Sequence, residues 1–183
     1  LKDHYFLAAP VPQEVGYYLI QEAERIGRHS FYRKWTKNLR DYHITLFFFG
    51  PLTPEKMVTV CGIAEQVTKP LKPFQISISG VEGFGDQNHP RVVFAGLLPC
   101  PELGKIQNEL NGLLGDCGFT ADRRPYHPHI TLAKGWLSGE PFADTEESRN
   151  HGIGWTIDRI SLFAVRQENP RYRPVRTFLF GDS

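Results

Sequence analysis

At 183 residues, 40% hydrophobic and 22% charged, the chain has the composition of an ordinary globular protein and not of a disordered one. A formal net charge of +1 sets up no overall field that would commit it to nucleic acid or to a membrane surface, so any basic surface must be local. No apolar run approaches the ~20 residues of a membrane span, the N-terminus lacks a charged region followed by an apolar core, and Cys61, Cys100 and Cys117 are odd in number and widely spaced, as reduced thiols of a cytoplasmic protein would be.

Residues 4–9 read as a buried strand stopped by Pro10 and Pro12, and residues 13–28 carry apolar side chains near helical spacing. A short aromatic strand is expected over 31–36, with Arg28, Arg33, Lys34, Lys37 and Arg40 around Trp35. The run 42–49 is a strand closed by Gly50-Pro51. Thr53-Pro54-Glu55 then starts a helix: a capping hydroxyl, proline at the first helical position and an early acid. Met57, Val60, Cys61, Ala64 and Val67 form its apolar stripe until Lys69-Pro70. Residues 74–79 alternate as a half-buried strand does, 83–90 is a loop by composition, and 91–98 is a strand again. Leu103, Ile106, Leu110, Leu113, Leu114 and Cys117 follow helical spacing, with Gly118 placed to cap the C-terminus. A strand follows over 129–136, then a loop or weak helix over 137–154. Residues 155–165 and 175–180 read as two closing strands joined by a hairpin loop at 167–171.

One tetrapeptide occurs twice, as His43-Ile44-Thr45-Leu46 and as His129-Ile130-Thr131-Leu132. The repetition extends outward, because strand, proline, helix and motif strand succeed one another in both places. These observations predict an α+β fold of two pseudo-symmetric lobes, each an antiparallel sheet with helices on its outer face, and an active-site cleft between them. Residues 1–183 are expected to form a single bilobal domain, with the motif strands near 42–49 and 128–136.

On a strand, side chains two apart point the same way. His43 and Thr45 therefore share a face, as do His129 and Thr131, while the isoleucines and leucines point inward. Two imidazoles with ordinary pKa values of ~6.5 suit acid–base work near neutral pH, one holding a proton while the other lacks it. Two threonine hydroxyls beside them suit a group with several anionic oxygens, which points to phosphate. Lys134 would add positive charge, and Phe47, with the strand parity of His43, could stack on a base. This chemistry needs no metal and no cofactor. A metal site of His43, His127 and His129 is the competing reading, weakened because no carboxylate or cysteine stands at ligand spacing. The cations around Trp35 are interleaved with aromatics as in single-stranded RNA binders, or form an ordinary solvated face.

The paired His-x-Thr motifs, Phe48-Phe49-Gly50 after the first, Tyr126-His127-Pro128 before the second and the late Pro170-Arg171-Tyr172 together resemble the 2H phosphoesterase superfamily. Within it the chain is most similar to the RNA 2′,3′-cyclic phosphodiesterases, also called the 2′-5′ RNA ligase family. The resemblance implies a bilobal fold, no metal, and hydrolysis of RNA or nucleotide 2′,3′-cyclic phosphate to a 2′-phosphate. It implies His43 as proton donor to the leaving O3′, His129 as proton acceptor from water, and substrate contacts from Thr45, Thr131, Lys134 and Tyr172. The family usually carries arginine where Lys134 stands, and a lysine cannot make the bidentate phosphate contact of a guanidinium. The expected partners are RNA or oligonucleotide 2′,3′-cyclic phosphate ends, met by a cytoplasmic monomer with no membrane contact. Two other functions compete: the reverse reaction, 2′-5′ RNA ligation, and an RNA- or nucleotide-binding module without turnover.

Overall fold

Proline and threonine place the helix starts. In the computed structural model, which describes residues 3–28, 32–137, 141–142 and 152–181, helix α1 (Gln13–Gly27) follows Pro12 and turns Val15, Leu19, Ala23 and Ile26 inward. Helix α2 (Pro54–Thr68) has proline at its first position behind Thr53, whose hydroxyl accepts from the Lys56 N–H at 3.3 Å. Helix α3 (Pro101–Asp116) ends where Gly118 adopts φ +82° and the Phe119 N–H returns to the Leu114 carbonyl at 3.0 Å, the left-handed cap expected there. No helix among the described residues is long and apolar enough to cross a membrane.

The strands are β1 (His4–Pro10), β2 (Tyr32–Trp35), β3 (His43–Pro51), β4 (Phe74–Gly85), β5 (Pro90–Leu97), β6 (His129–Trp136), β7 (Gly154–Ile157), β8 (Arg159–Val165) and β9 (Tyr172–Leu179). Every pairing is antiparallel, in the order β7-β4-β5-β6-β3-β1-β8-β9, with β2 also on β6. The order reads outward symmetrically from the centre. One half is β3-β1-β8-β9 and the other β6-β5-β4-β7, with the two motif strands adjacent at the junction. The α+β antiparallel architecture in two related halves is as expected, and the halves share one continuous path of hydrogen-bonded strands. Each repeat sends its helix across that junction: α1, which follows β1, packs on β6, and α3, which follows β5, packs on β3. Helix α2 lies against α3, β8 and β9.

Three differences from the sequence expectation have physical causes. Strand β4 continues to Gly85 instead of ending near Ser79, and the loop shrinks to a turn in which the Asp86 carboxylate accepts from the N–H groups of Asn88 and His89 at 2.7 and 3.0 Å. Gly83 permits this, since a Cβ there would stand 2.5 Å from that of Pro90. The expected strand 155–165 is two strands. Trp155 and Ile157 are buried, then Ile160 and Leu162, so the inward parity slips by one at Asp158. There the chain leaves β4 and crosses to β1 at the other half. Strand β9 begins at Tyr172 rather than Val175 and pairs that residue with Val165. Phe31 and most of the 137–154 stretch lie outside the described residues.

All three helices bury their apolar stripes on one face of the sheet, in a single core that includes Ile44, Leu46, Ile130 and Leu132. The opposite face carries a separate small cluster of Phe6, Ala8 and Phe163, with Tyr172 and Val165 against it.

Candidate active site

The two tetrapeptides meet at the middle of the sheet. Ile44 is the partner of Ile130 in the antiparallel pairing of β3 with β6. That register sets Thr131 beside His43 and His129 beside Thr45. Ile44 and Ile130 are both 0% exposed on the helix side. The histidines and threonines on either side of them are half-buried on the open face. Burying an isoleucine is worth roughly 1.5–3 kcal/mol, so the inward anchors oppose any slip that would turn the histidines away.

Each histidine is held in the same way. His43 Nδ1–H donates to the Asp41 carbonyl at 2.7 Å, and His129 Nδ1–H donates to the His127 carbonyl at 2.7 Å. Both rings are thereby fixed as the tautomer whose Nε2 carries the free lone pair. Each also rests on two phenylalanines. Phe6 and Phe163 stack at 5.3 Å, with the Phe6 centroid 4.7 Å from His43. Phe84 and Phe94 sit 4.2 Å apart, at 4.9 and 5.1 Å from His129.

The surroundings then diverge. Tyr172 closes edge-on against His43 at 4.8 Å as a third ring, and among the described residues His129 has only its two phenylalanines. Burial, opposed by the Asp41 carbonyl and assisted by Lys134 and His129, pushes the His43 pKa down to about 4. Burial also lowers that of His129, opposed by the His127 carbonyl and assisted by His127 and Lys134. Lys134 thus acts electrostatically on both imidazoles.

A second duplicated feature follows each motif. In β3 the partners of Ala8 and Leu7 are Thr45 and Phe47, so Leu46 is an extra residue. In β6 the partners of Phe94 and Val93 are Thr131 and Ala133, so Leu132 is the extra residue. Each bulge reverses the facing of the residues that follow it, in β3 as far as a second irregularity at Phe49. Phe47, expected on the open face, is only 5% exposed and lies in the main core, whereas Phe48 is 56% exposed and meets His4 edge-on at 6.0 Å. Lys134, whose simple strand parity would have turned it away from His129, is brought to the open face by the same reversal. Phe48 and Lys134 are therefore equivalent positions of the two copies.

Cross-ties hold the junction. The Thr36 hydroxyl donates to the Thr131 carbonyl at 3.0 Å, and the Tyr126 hydroxyl to the Thr45 carbonyl at 3.1 Å, so the segment leading into each motif grips the other. Buried Asp41 accepts at its carboxylate from the Tyr172 N–H at 3.1 Å, fastening the β8–β9 hairpin against His43. The threonine hydroxyls themselves bond no other described residue and stand free for a ligand.

The structure thus brings together His43, His129, Thr45, Thr131, Lys134 and Tyr172, and removes Phe47. Sequence reading missed Phe48, Asp41 and the four supporting phenylalanines. For Phe48 a signal exists, since two consecutive apolar residues follow the threonine in both copies. His127 is 3.7 Å from Glu82 and His89 is 3.6 Å from Asp86, each beside an acid instead of a metal-ligand cluster. Among the described residues no three His, Cys, Asp or Glu side chains gather as a metal site. His29 and His151 lie outside them.

A family model described as the 2′-5′ RNA ligase superfamily matches residues 11–169. The chain is 28% identical to an RNA 2′,3′-cyclic phosphodiesterase of Bacillus subtilis over 97% of both chains. It is 34% identical to an RNA 2′,3′-cyclic phosphodiesterase of Archaeoglobus fulgidus over 74% of this chain and 78% of that one. In fold it is similar to Escherichia coli LigT complexed with 3′-AMP, with a TM-score of 0.82 and 21% identity over the whole of both chains.

Proposed function

The chain belongs to the 2′-5′ RNA ligase superfamily, and from that premise we propose that it hydrolyses RNA or nucleotide 2′,3′-cyclic phosphates to 2′-phosphates by two-histidine acid–base catalysis that requires no metal. The observation that carries this is the paired tether: two histidines on one face, each with Nδ1 occupied by a backbone carbonyl at 2.7 Å, leave two Nε2 atoms for proton transfer. His129 Nε2 takes a proton from water as the water oxygen bonds to phosphorus. The P–O3′ bond breaks, and His43 Nε2–H delivers its proton to O3′, leaving a 2′-phosphate and a free 3′-hydroxyl. Thr45 and Thr131 donate to the non-bridging oxygens, and Lys134 offsets the charge that gathers there. Tyr172 and Phe48 wall the His43 side, where an aromatic face can meet a base or ribose.

The difference in burial favours this division of roles. A histidine whose proton is destabilised is the stronger acid, so His43 is the better donor once charged, and His129 keeps more basicity. The substrate's own anionic phosphate restores the proton that burial disfavours on His43. The same proposal has residues 1–183 acting as a single bilobal unit, a cytoplasmic monomer, on RNA or oligonucleotide ends.

The test is conversion of a nucleoside 2′,3′-cyclic monophosphate by purified protein with chelator present. The 2′-monophosphate is the expected product; absence of product, or a 3′-monophosphate, overturns the proposal. A second activity, joining a 2′,3′-cyclic end to a 5′-hydroxyl as a 2′-5′ linkage, is favoured by the family's description. The same two histidines serve it in reverse, and two RNA halves incubated together reveal it as a longer product.

A further inference from the structure

Three cations act on one another near the histidines, and no acidic side chain among the described residues pairs with any of them. Lys34 on β2 is the strand partner of Lys134 on β6, so both side chains leave the same face. Like charges placed directly opposite destabilise a sheet. Arg171, adjoining Tyr172 on the hairpin, completes the group. Partial desolvation, then Lys34 and Arg171, hold the Lys134 ammonium below the usual lysine range. The Nε of Arg171 is shut from solvent and has no hydrogen-bond partner. No ion pair among the described residues involves Lys34, Lys134 or Arg171. An opposed lysine pair beside an orphaned guanidinium is a cost that a bound anion relieves.

One cyclic phosphate does not account for all three. Lys134 lies on the open face of the motif strand β6, and its charge acts on both imidazoles, so it is the cation assigned to a phosphate held between them. Lys34 and Arg171 flank Lys134, and three positive charges exceed the single negative charge of a cyclic phosphodiester. We propose that Lys34 and Arg171, with Lys134 shared, form a second anion subsite that receives the phosphate on the 5′ side of the nucleotide bearing the cyclic end. This rests on the activity proposed above and narrows its substrate class to oligonucleotide or 5′-phosphorylated ends rather than free nucleoside 2′,3′-cyclic monophosphates.

The test compares kcat/KM for a nucleoside 2′,3′-cyclic monophosphate with that for the same compound carrying a 5′-phosphate. Hydrogen bonds to charged groups correspond to a preference of about 10- to 100-fold for the 5′-phosphorylated form in the wild type. Lys34→Ala is expected to cut the ratio to within a few-fold, Lys34→Arg to restore it, and Lys34→Glu to bring it below one. Both rates come from one preparation, so the ratio does not depend on the fraction folded. Equal rates in the wild type, or an unchanged ratio in Lys34→Ala, overturn the subsite. If neither compound is turned over, the hydrolase activity fails, and calorimetry decides the subsite separately. Binding of a nucleoside 2′,5′-bisphosphate more tightly than the 2′-monophosphate, with the difference lost in Lys34→Ala, supports it; equal binding refutes it.

Discussion

The His43 half and the His129 half begin from the same four residues, the same Nδ1 tether, the same phenylalanine pair and the same bulge, and they finish as different chemical environments. Past the bulge one half presents Phe48 and the other Lys134. Over one histidine Tyr172 closes, and beside the other stands His127. The motif supplies two equivalent imidazoles, and the difference between their environments comes from what each half adds around them. Desolvation is the leading cause of both lowered pKa values, and Tyr172 closes over His43 and not His129, so enclosure is the asymmetry expected to separate the pair.

Breaking the symmetric part should have the largest effect. His43→Ala and His129→Ala are each expected to lower kcat on a 2′,3′-cyclic nucleotide by roughly 10²–10⁴-fold. A variant that keeps near wild-type turnover shows that its histidine transfers no proton.

The unequal part appears next, in stability. Above pH 6.5 His43 is neutral in both folded and unfolded chains. As pH falls below 6.5 the unfolded chain takes up a proton that the folded site resists until about pH 4, so stability drops across that window and then levels. The loss is at most about 3 kcal/mol. Urea unfolding at pH 7 and pH 4.5 should show this decline in the wild type and a smaller one in His43→Gln. Parallel declines would mean that enclosure is not what separates the two histidines.

Lys134→Ala, which removes the charge unique to one half, should raise KM about 10-fold or more, as expected for loss of a charge-assisted contact. Lys134→Arg should hold KM near wild type or lower it. An unchanged KM in the alanine variant places the ammonium away from the substrate phosphate.

The smallest and most specific effect concerns Tyr172. Its replacement by alanine admits water to His43 but not to His129. NMR titration should show the His43 pKa rising from about 4 toward 6.5 with His129 little changed, and the acidic limb of the kcat/KM profile should move up in step. Equal movement of both histidines would mean that the tyrosine does not close one side alone.

Much of this was legible in the sequence because alternation along a strand is a strong constraint. It put His and Thr of each copy on one face and Ile on the other, and Thr53-Pro54 and Gly118 marked helix ends correctly. Parity failed where an extra residue entered. Leu46-Phe47 and Leu132-Ala133 are adjacent apolar pairs, and a strict alternation carried through the first pair put Phe47 on the wrong face. The slip at Asp158 was visible in the same way, as Trp155 and Ile157 followed by Ile160 and Leu162. What could not be read was which distant strand supplies a neighbour. Phe163 lies far along the chain from His43, and the contact of the Asp41 carboxylate with the Tyr172 N–H depends on a hairpin formed 131 residues later.

The crossing at Asp158 also bears on how the protein comes to be assembled. The half that holds His43 joins β1 and β3 to β8 and β9, so it cannot close until the residues that follow Asp158 have been synthesised. A nascent chain that has emerged only as far as Ile157 already carries both tetrapeptides. It would lack Phe163 beneath His43 and would leave β1 with an unpaired edge where β8 belongs, the kind of edge that templates misassociation. Contacts of such long sequence separation also slow folding. The surroundings of His43 are therefore completed only after both motifs have emerged, and a stop just after Ile157 removes that environment while sparing every residue of the motifs.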